Sequence, residues 1–273
     1  MHPAVLATAA SLVYLVAAFS VYGSLHTDYL AAKRGIRPKL MILGFGFLAA
    51  GLHALTLTEL FDTSGEMNVS FLNTSSAAVL LIVLTLLFSA LHKPVEKLGI
   101  VIFPMAAVVL LLKLGFPEKA HLLKAHSWPM RLHIFVSMLA YSFLNIAALQ
   151  AGLLAIQDWR LRTHHASGFV RSLPPLQTME KLLFQLIATG FALLSVSLLS
   201  GFLFLEDLFA QHLAHKTVLS LTAWGVFAVL LVGRYQRGWR GRTAIRWTVC
   251  GFIALMLAYF GSKMVLEIVL GRV

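Results

Sequence analysis

Residues 132–157 read LHIFVSMLAYSFLNIAALQAGLLAIQ, 26 positions without one Asp, Glu, Lys or Arg. Coiled as an α-helix, the run is about 39 Å long, more than the roughly 30 Å of a bilayer's hydrocarbon core. Backbone N–H and C=O groups in hydrocarbon must be satisfied internally, and the run lacks the alternation of a barrel strand, so it predicts a membrane-spanning helix.

Working outward, seven further segments reach spanning length or nearly so, at about 4–25, 40–60, 75–91, 98–114, 180–205, 216–233 and 244–269. The third and fourth are short and joined by the tight loop HKPVEK (92–97), which predicts a helical hairpin. The expectation is an all-α polytopic membrane protein, a bundle of about eight transmembrane helices in a single transmembrane domain over 1–273. Composition agrees. The chain is 59% hydrophobic and 12% charged, with a mean hydropathy of +0.84. A soluble domain carries roughly 25% charged residues. Lipid is therefore its first partner. The first apolar segment lacks a basic stretch before it and a small-residue cleavage site after it, so it is expected to remain as a span.

A formal charge of +11 raises the question of nucleic acid, but the basic residues are dispersed through short loops, and nucleic acid is excluded as a partner. The loops after the first, third, fifth and seventh spans hold 15 of the 22 Lys and Arg residues, including Lys33, Arg34, Lys93, Arg160, Arg234 and Arg240. The positive-inside rule then places both termini external to the cytoplasm. The loop FDTSGEMNVSFLNT (61–74) has no Lys or Arg, as an external loop should. The lone Cys250 excludes an intramolecular disulfide and a CxxC motif.

This orientation sorts the eleven histidines by depth. Seven (His2, His26, His92, His121, His126, His164 and His165) fall at helix ends, in loops or at the terminus, as interfacial or solvated residues do. The other four gather near the outer face. His53 lies seven residues before the expected end of the second span, about 10 Å deep. His133 opens the fifth span and His215 the seventh, with His212 one turn earlier. An ionisable group inside a membrane helix points to function unless a Ser or Thr satisfies it. Paired neutral imidazoles suit a haem iron, with apolar walls around the ring and cations for the propionates. Phe135, Met138, Trp128 and Met264 offer walls; Arg131, Lys216 and Lys263 offer cations.

The run SWPMRLHIFVSMLAYSFLNIAALQAGLLAIQ (127–157) resembles the haem-histidine segment of the cytochrome c assembly membrane family, of the CcsA, ResC and HemX types. The order Lys216, Trp224, Arg234, Gly238-Trp239-Arg240-Gly241 and Tyr259-Phe260-Gly261 resembles that family's last two helices, so residues 127–261 correspond to its core. The resemblance implies that His133 takes the place of the first external haem histidine, and Lys216 that of the lysine closing the tryptophan-rich WWD signature. The tryptophan-rich loop is absent: between the sixth and seventh spans the chain reads FLEDLFAQHLAHK (204–216). The second external histidine has no counterpart in MVLEIVLGRV (264–273). These departures resemble the HemX-like or YpjD-like branch, a bacterial inner-membrane protein that handles haem rather than an enzyme that attaches it.

What the resemblance implies is a b-type, non-covalent haem near the outer face, its iron held by His133 with His215 or His53, and His212 able to stand in for the lost ligand. Other cytochrome c maturation components would be its partners. The alternative is a cofactor-free regulatory or scaffold protein acting on a cytoplasmic enzyme, its histidines hydrogen-bonding between helices. Two weaker alternatives are a zinc site built from Glu206, Asp207, His212 and His215 and membrane transport, for which the spans carry too little buried charge.

Overall fold

The computed structural model describes residues 3–27, 37–57, 67–68, 70–116, 122–123, 128–163, 173–204 and 214–258. Among them are eight α-helices: α1 Pro3–Thr27, α2 Arg37–Thr56, α3 Phe71–His92, α4 Gly99–Gly115, α5 Trp128–Arg162, α6 Leu176–Phe204, α7 Ala214–Arg237 and α8 Gly241–Met256. The first seven are long and apolar enough to cross a membrane. Helix α8 continues into a π-type turn at 257–258, and the remainder of that expected span lies outside the described residues. The chain is thus an all-α polytopic membrane protein. Its strands among the described residues are two-residue pieces, β1 Met67–Asn68 and β2 Leu122–Leu123, paired antiparallel with Met67 opposite Leu123.

Helix ends follow backbone chemistry more closely than hydropathy. Helix α5 extends four residues before and five beyond the apolar run, because its hydrogen-bond ladder continues into the polar interface. His133 therefore sits on the second turn of α5 rather than at its start. Pro129 occupies the first turn, where its missing N–H costs no helix bond. Helix α3 stops at His92 because Lys93 precedes Pro94 and is held extended at φ −130°, ψ 150°. The turn passes through a 3₁₀ segment, Glu96–Leu98, into α4, making the expected hairpin. Helix α2 ends at Thr56, earlier than hydropathy implied, which leaves His53 within its last turn.

The helices form two compact units, one from Met1–Lys124 with Arg160–Pro175, the other from Ala125–Trp159 with Leu176–Val273. In the first, α1 packs on α2 and α4, and α3 packs on the same two helices, so the four close on themselves. Helix α1 is apolar all round, as lipid on one side and protein on the other allow. What marks its packing face is side-chain size. Ala7, Ala10, Ser11, Tyr14, Ala17, Ala18, Val21 and Ser24 recur every three or four residues and are buried, while Leu12, Leu15, Val16 and Phe19 are exposed. Small residues let backbones approach closely where burial alone gives little preference.

Gly46 serves the same purpose on α2, since a Cβ there would lie 2.6 Å from Leu87 of α3. In the second unit Gly190 of α6 admits Leu144 of α5, and Gly251 of α8 admits Phe227 of α7. Gly44 and Gly51 of α2, in contrast, look onto open space.

Candidate functional site

Two clusters of polar side chains stand at the ends of the second unit. At one, α5 and α6 are joined by a ladder of hydroxyls around His133. The imidazole Nδ1 lies 2.8 Å from Ser200 Oγ. Ser200 Oγ donates to the Ser197 carbonyl at 2.8 Å. Ser137 Oγ donates to the His133 carbonyl at 2.6 Å and lies 2.6 Å from Ser197 Oγ.

Two tautomers fit these distances. With the Ser200 hydroxyl hydrogen on the Ser197 carbonyl, Ser200 accepts from His133 Nδ1–H; with that hydrogen turned to the ring, Ser200 donates to Nδ1. Between Ser137 and Ser197 either hydroxyl serves as donor. In the Nδ1-protonated tautomer the lone pair lies on Nε2, the nitrogen not bonded to Ser200. An imidazole clamped through Nδ1–H with Nε2 available is a ready ligand for a metal.

Of the apolar residues expected as walls, Met138 is buried, whereas Phe135 and Trp128 are exposed. Arg131 is exposed and Lys216 half-exposed, each with interactions of its own. His215 is the second residue of α7, and its side chain is outside the described residues, as are His212, Glu206, Asp207, Lys263 and Met264. Among the described residues no group of three or more His, Cys, Asp or Glu side chains is placed to hold a metal ion.

His53 belongs to the first unit and its setting differs. It is fully buried, with Nδ1 3.2 Å from Tyr14 Oη of α1 and Nε2 2.9 Å from Ser76 Oγ of α3. Tyr14 also stacks on Phe103 of α4, centroids 6.0 Å apart. One imidazole thus ties α1, α2 and α3 together by hydrogen bonds, and its tyrosine partner reaches α4. Thr56 Oγ1 donates to the His53 carbonyl at 2.7 Å, and Lys113 Nζ lies 3.5 Å from the Thr56 carbonyl. With both ring nitrogens engaged, ligation through His53 would require one of these bonds to be given up.

Sequence reading passed over the serines. Ser137 stands one turn after His133, and Ser197 and Ser200 are spaced i, i+3 on α6. Such spacing is visible in a sequence, but serines are common packing residues in membrane helices and the pairing needed coordinates.

The opposite end of the unit holds an ionic clamp. Glu180 of α6 accepts from Arg234 Nη1 of α7 at 2.7 Å through Oε1, and from the Gly241 backbone N–H at 3.2 Å through Oε2. Arg234 also donates to the Trp239 carbonyl at 3.1 Å and lies 4.6 Å over the Phe184 ring. The turn between α7 and α8 has left-handed backbone at Gly238 (φ 64°) and Gly241 (φ 52°), which glycine adopts without strain.

Comparison with known proteins identifies relatives of the chain. Residues 40–270 match the family described as cytochrome C assembly protein. The chain is 32% identical over 255 residues to the inner membrane protein YpjD of Escherichia coli K12, covering 92% of this chain and 96% of that one. It is 32% identical over 142 residues to a 28.8 kDa protein from Azospirillum brasilense, covering 51% of this chain and 52% of that protein. Over 87 residues it is 30% identical to the cytochrome c biogenesis protein CcsA of Gloeobacter violaceus, 31% of this chain and 26% of the relative. No solved structure matches it.

Proposed function

This chain belongs to the cytochrome c assembly protein family, and from that premise we propose that it is a multi-pass inner-membrane protein of cytochrome c biogenesis that holds haem through His133. The membrane assignment is supported by seven span-length helices and by a relative named as an inner membrane protein over nearly its whole length. The biogenesis role is supported by the family and by relatives named for that process.

The single observation that carries haem is the state of His133. In its Nδ1-protonated tautomer Ser200 accepts the Nδ1–H, and the lone pair lies on Nε2, the nitrogen not bonded to Ser200. That is the donor a haem iron takes from a neutral imidazole. Haem, when bound, supplies a redox-active iron that accepts axial nitrogen ligands.

The protein's own contributions follow from its side chains. His133 ligates, Ser200 holds its ring through Nδ1, and Ser137 with Ser197 ties α5 to α6 beside it. His215, the second residue of α7, or His212, two residues before that helix, supplies the second imidazole, and Arg131 and Lys216 supply cations for the propionates. His53 keeps its hydrogen bonds and serves the first unit's packing.

The deciding experiment is a visible spectrum of the purified protein with a pyridine haemochrome assay. A Soret band, present on isolation or regained on adding haem and lost in His133→Ala, is expected. Absence of the band under both conditions overturns the proposal, and a cytoplasmic enzyme co-purifying with haem-free protein would replace it with a scaffold role.

A further inference from the structure

At the second unit's basic end, a cavity of about 140 Å³ opens between α5 and α8. Its lining is two matching helical triads: Ala155, Asp158 and Trp159 from α5, and Arg242, Ile245 and Arg246 from α8. Spacings of i, i+3 and i+4 put each triad on one helix face.

The charges are unequal. Arg242 Nε donates to Asp158 Oδ2 at 3.4 Å, which neutralises one guanidinium. Arg246 is exposed and forms no hydrogen bond or ion pair among the described residues. The cavity therefore presents one uncompensated positive charge together with the remaining N–H groups of Arg242.

From this geometry we propose that the cavity seats the phosphodiester headgroup of an anionic phospholipid. A phosphodiester is a monoanion, matching the single excess charge, and the planar N–H fork of arginine suits its oxygens. The apolar members, Ala155 and Ile245, continue into the apolar runs of their helices, along which acyl chains lie. Trp159 is exposed at the edge, where indole prefers the membrane–water boundary. Basic pockets between helices at the cytoplasmic surface bind such headgroups for these reasons. A soluble acidic peptide would gain nothing from the apolar wall.

The test uses full-length protein incubated with vesicles of phosphatidylcholine alone or of an equal mixture with phosphatidylglycerol, then counts retained lipid by native mass spectrometry. Selective retention of phosphatidylglycerol is expected. Arg246→Gln, which removes no internal partner, should weaken it about fivefold, and Arg242→Gln by a similar factor. Asp158→Asn raises the cavity's charge and should tighten retention. Equal retention of the two lipids, or retention unchanged by Arg246→Gln, overturns the proposal. Protection of the cavity by inorganic phosphate as effective as by the lipid would assign it to a free anion instead and overturn the lipid site.

Discussion

His133 and His53 are chemically the same side chain in comparable apolar helices, and their hydrogen bonds separate them. One has a nitrogen to offer; the other has both engaged. Removing the Ser200 hydroxyl should therefore leave the fold and loosen the ring. Ser200→Ala is expected to weaken haem binding about 10–100-fold in an optical titration, with Ser200→Thr restoring it. Equal affinity in Ser200→Ala would show that the hydroxyl does not position the ligand. At the other histidine the cost falls on stability. Tyr14→Phe deletes one interhelical hydrogen bond, worth about 0.6 kcal/mol on average and up to about 1.7 in membrane proteins. His53→Ala also opens a cavity and should approach the roughly 2–5 kcal/mol of large-to-small core changes. Unfolding titrations in detergent should rank the variants in that order, with the haem spectrum of the second unit unchanged.

The helices are held at points where size or charge is exact to a residue. Gly233 on α7 faces the Trp239 ring so closely that a methyl group cannot be added without displacing the indole. The Trp239 backbone N–H donates to the Gly233 carbonyl at 3.2 Å, and the indole leans on Trp247 of α8, centroids 5.4 Å apart. Gly233→Ala should cost about 1–3 kcal/mol by overpacking, seen as a lower melting temperature. Glu180→Gln keeps the size but removes the charge that binds both Arg234 and the start of α8. A loss of about 1.5–3 kcal/mol is expected for hydrogen bonds to a charged group, and Glu180→Asp, too short for both, should not rescue it. Melting temperatures equal to wild type would mean that the clamp is not a stability element.

Across the whole molecule, the distribution of Lys and Arg predicts the chain's orientation. Reporter fusions in the loops after α1, α3, α5 and α7 should report the cytoplasm, and fusions at either terminus the opposite side. The reverse pattern would move the His133 end of the second unit to the cytoplasmic face, and with it the proposed haem site. The two ends of that unit then divide the work: hydroxyls and imidazole at one, guanidinium, carboxylate and tryptophan at the other. Each end uses groups that are costly in hydrocarbon and therefore kept at its margins.

The helices, their approximate spans and the α3–α4 hairpin were legible in the sequence, because length and hydropathy act locally on each segment. The positions of His53 and His133 along their helices were legible to within about a turn. Their roles were not. Whether an imidazole is a ligand or a tie depends on which hydroxyls stand opposite it, and those come from positions 39 and 23 residues away for His53 and 67 residues away for His133. In a helix apolar on every face, hydropathy does not mark the packing side. Only the close approach of one helix to another decides which small residues, which serines and which glycines meet.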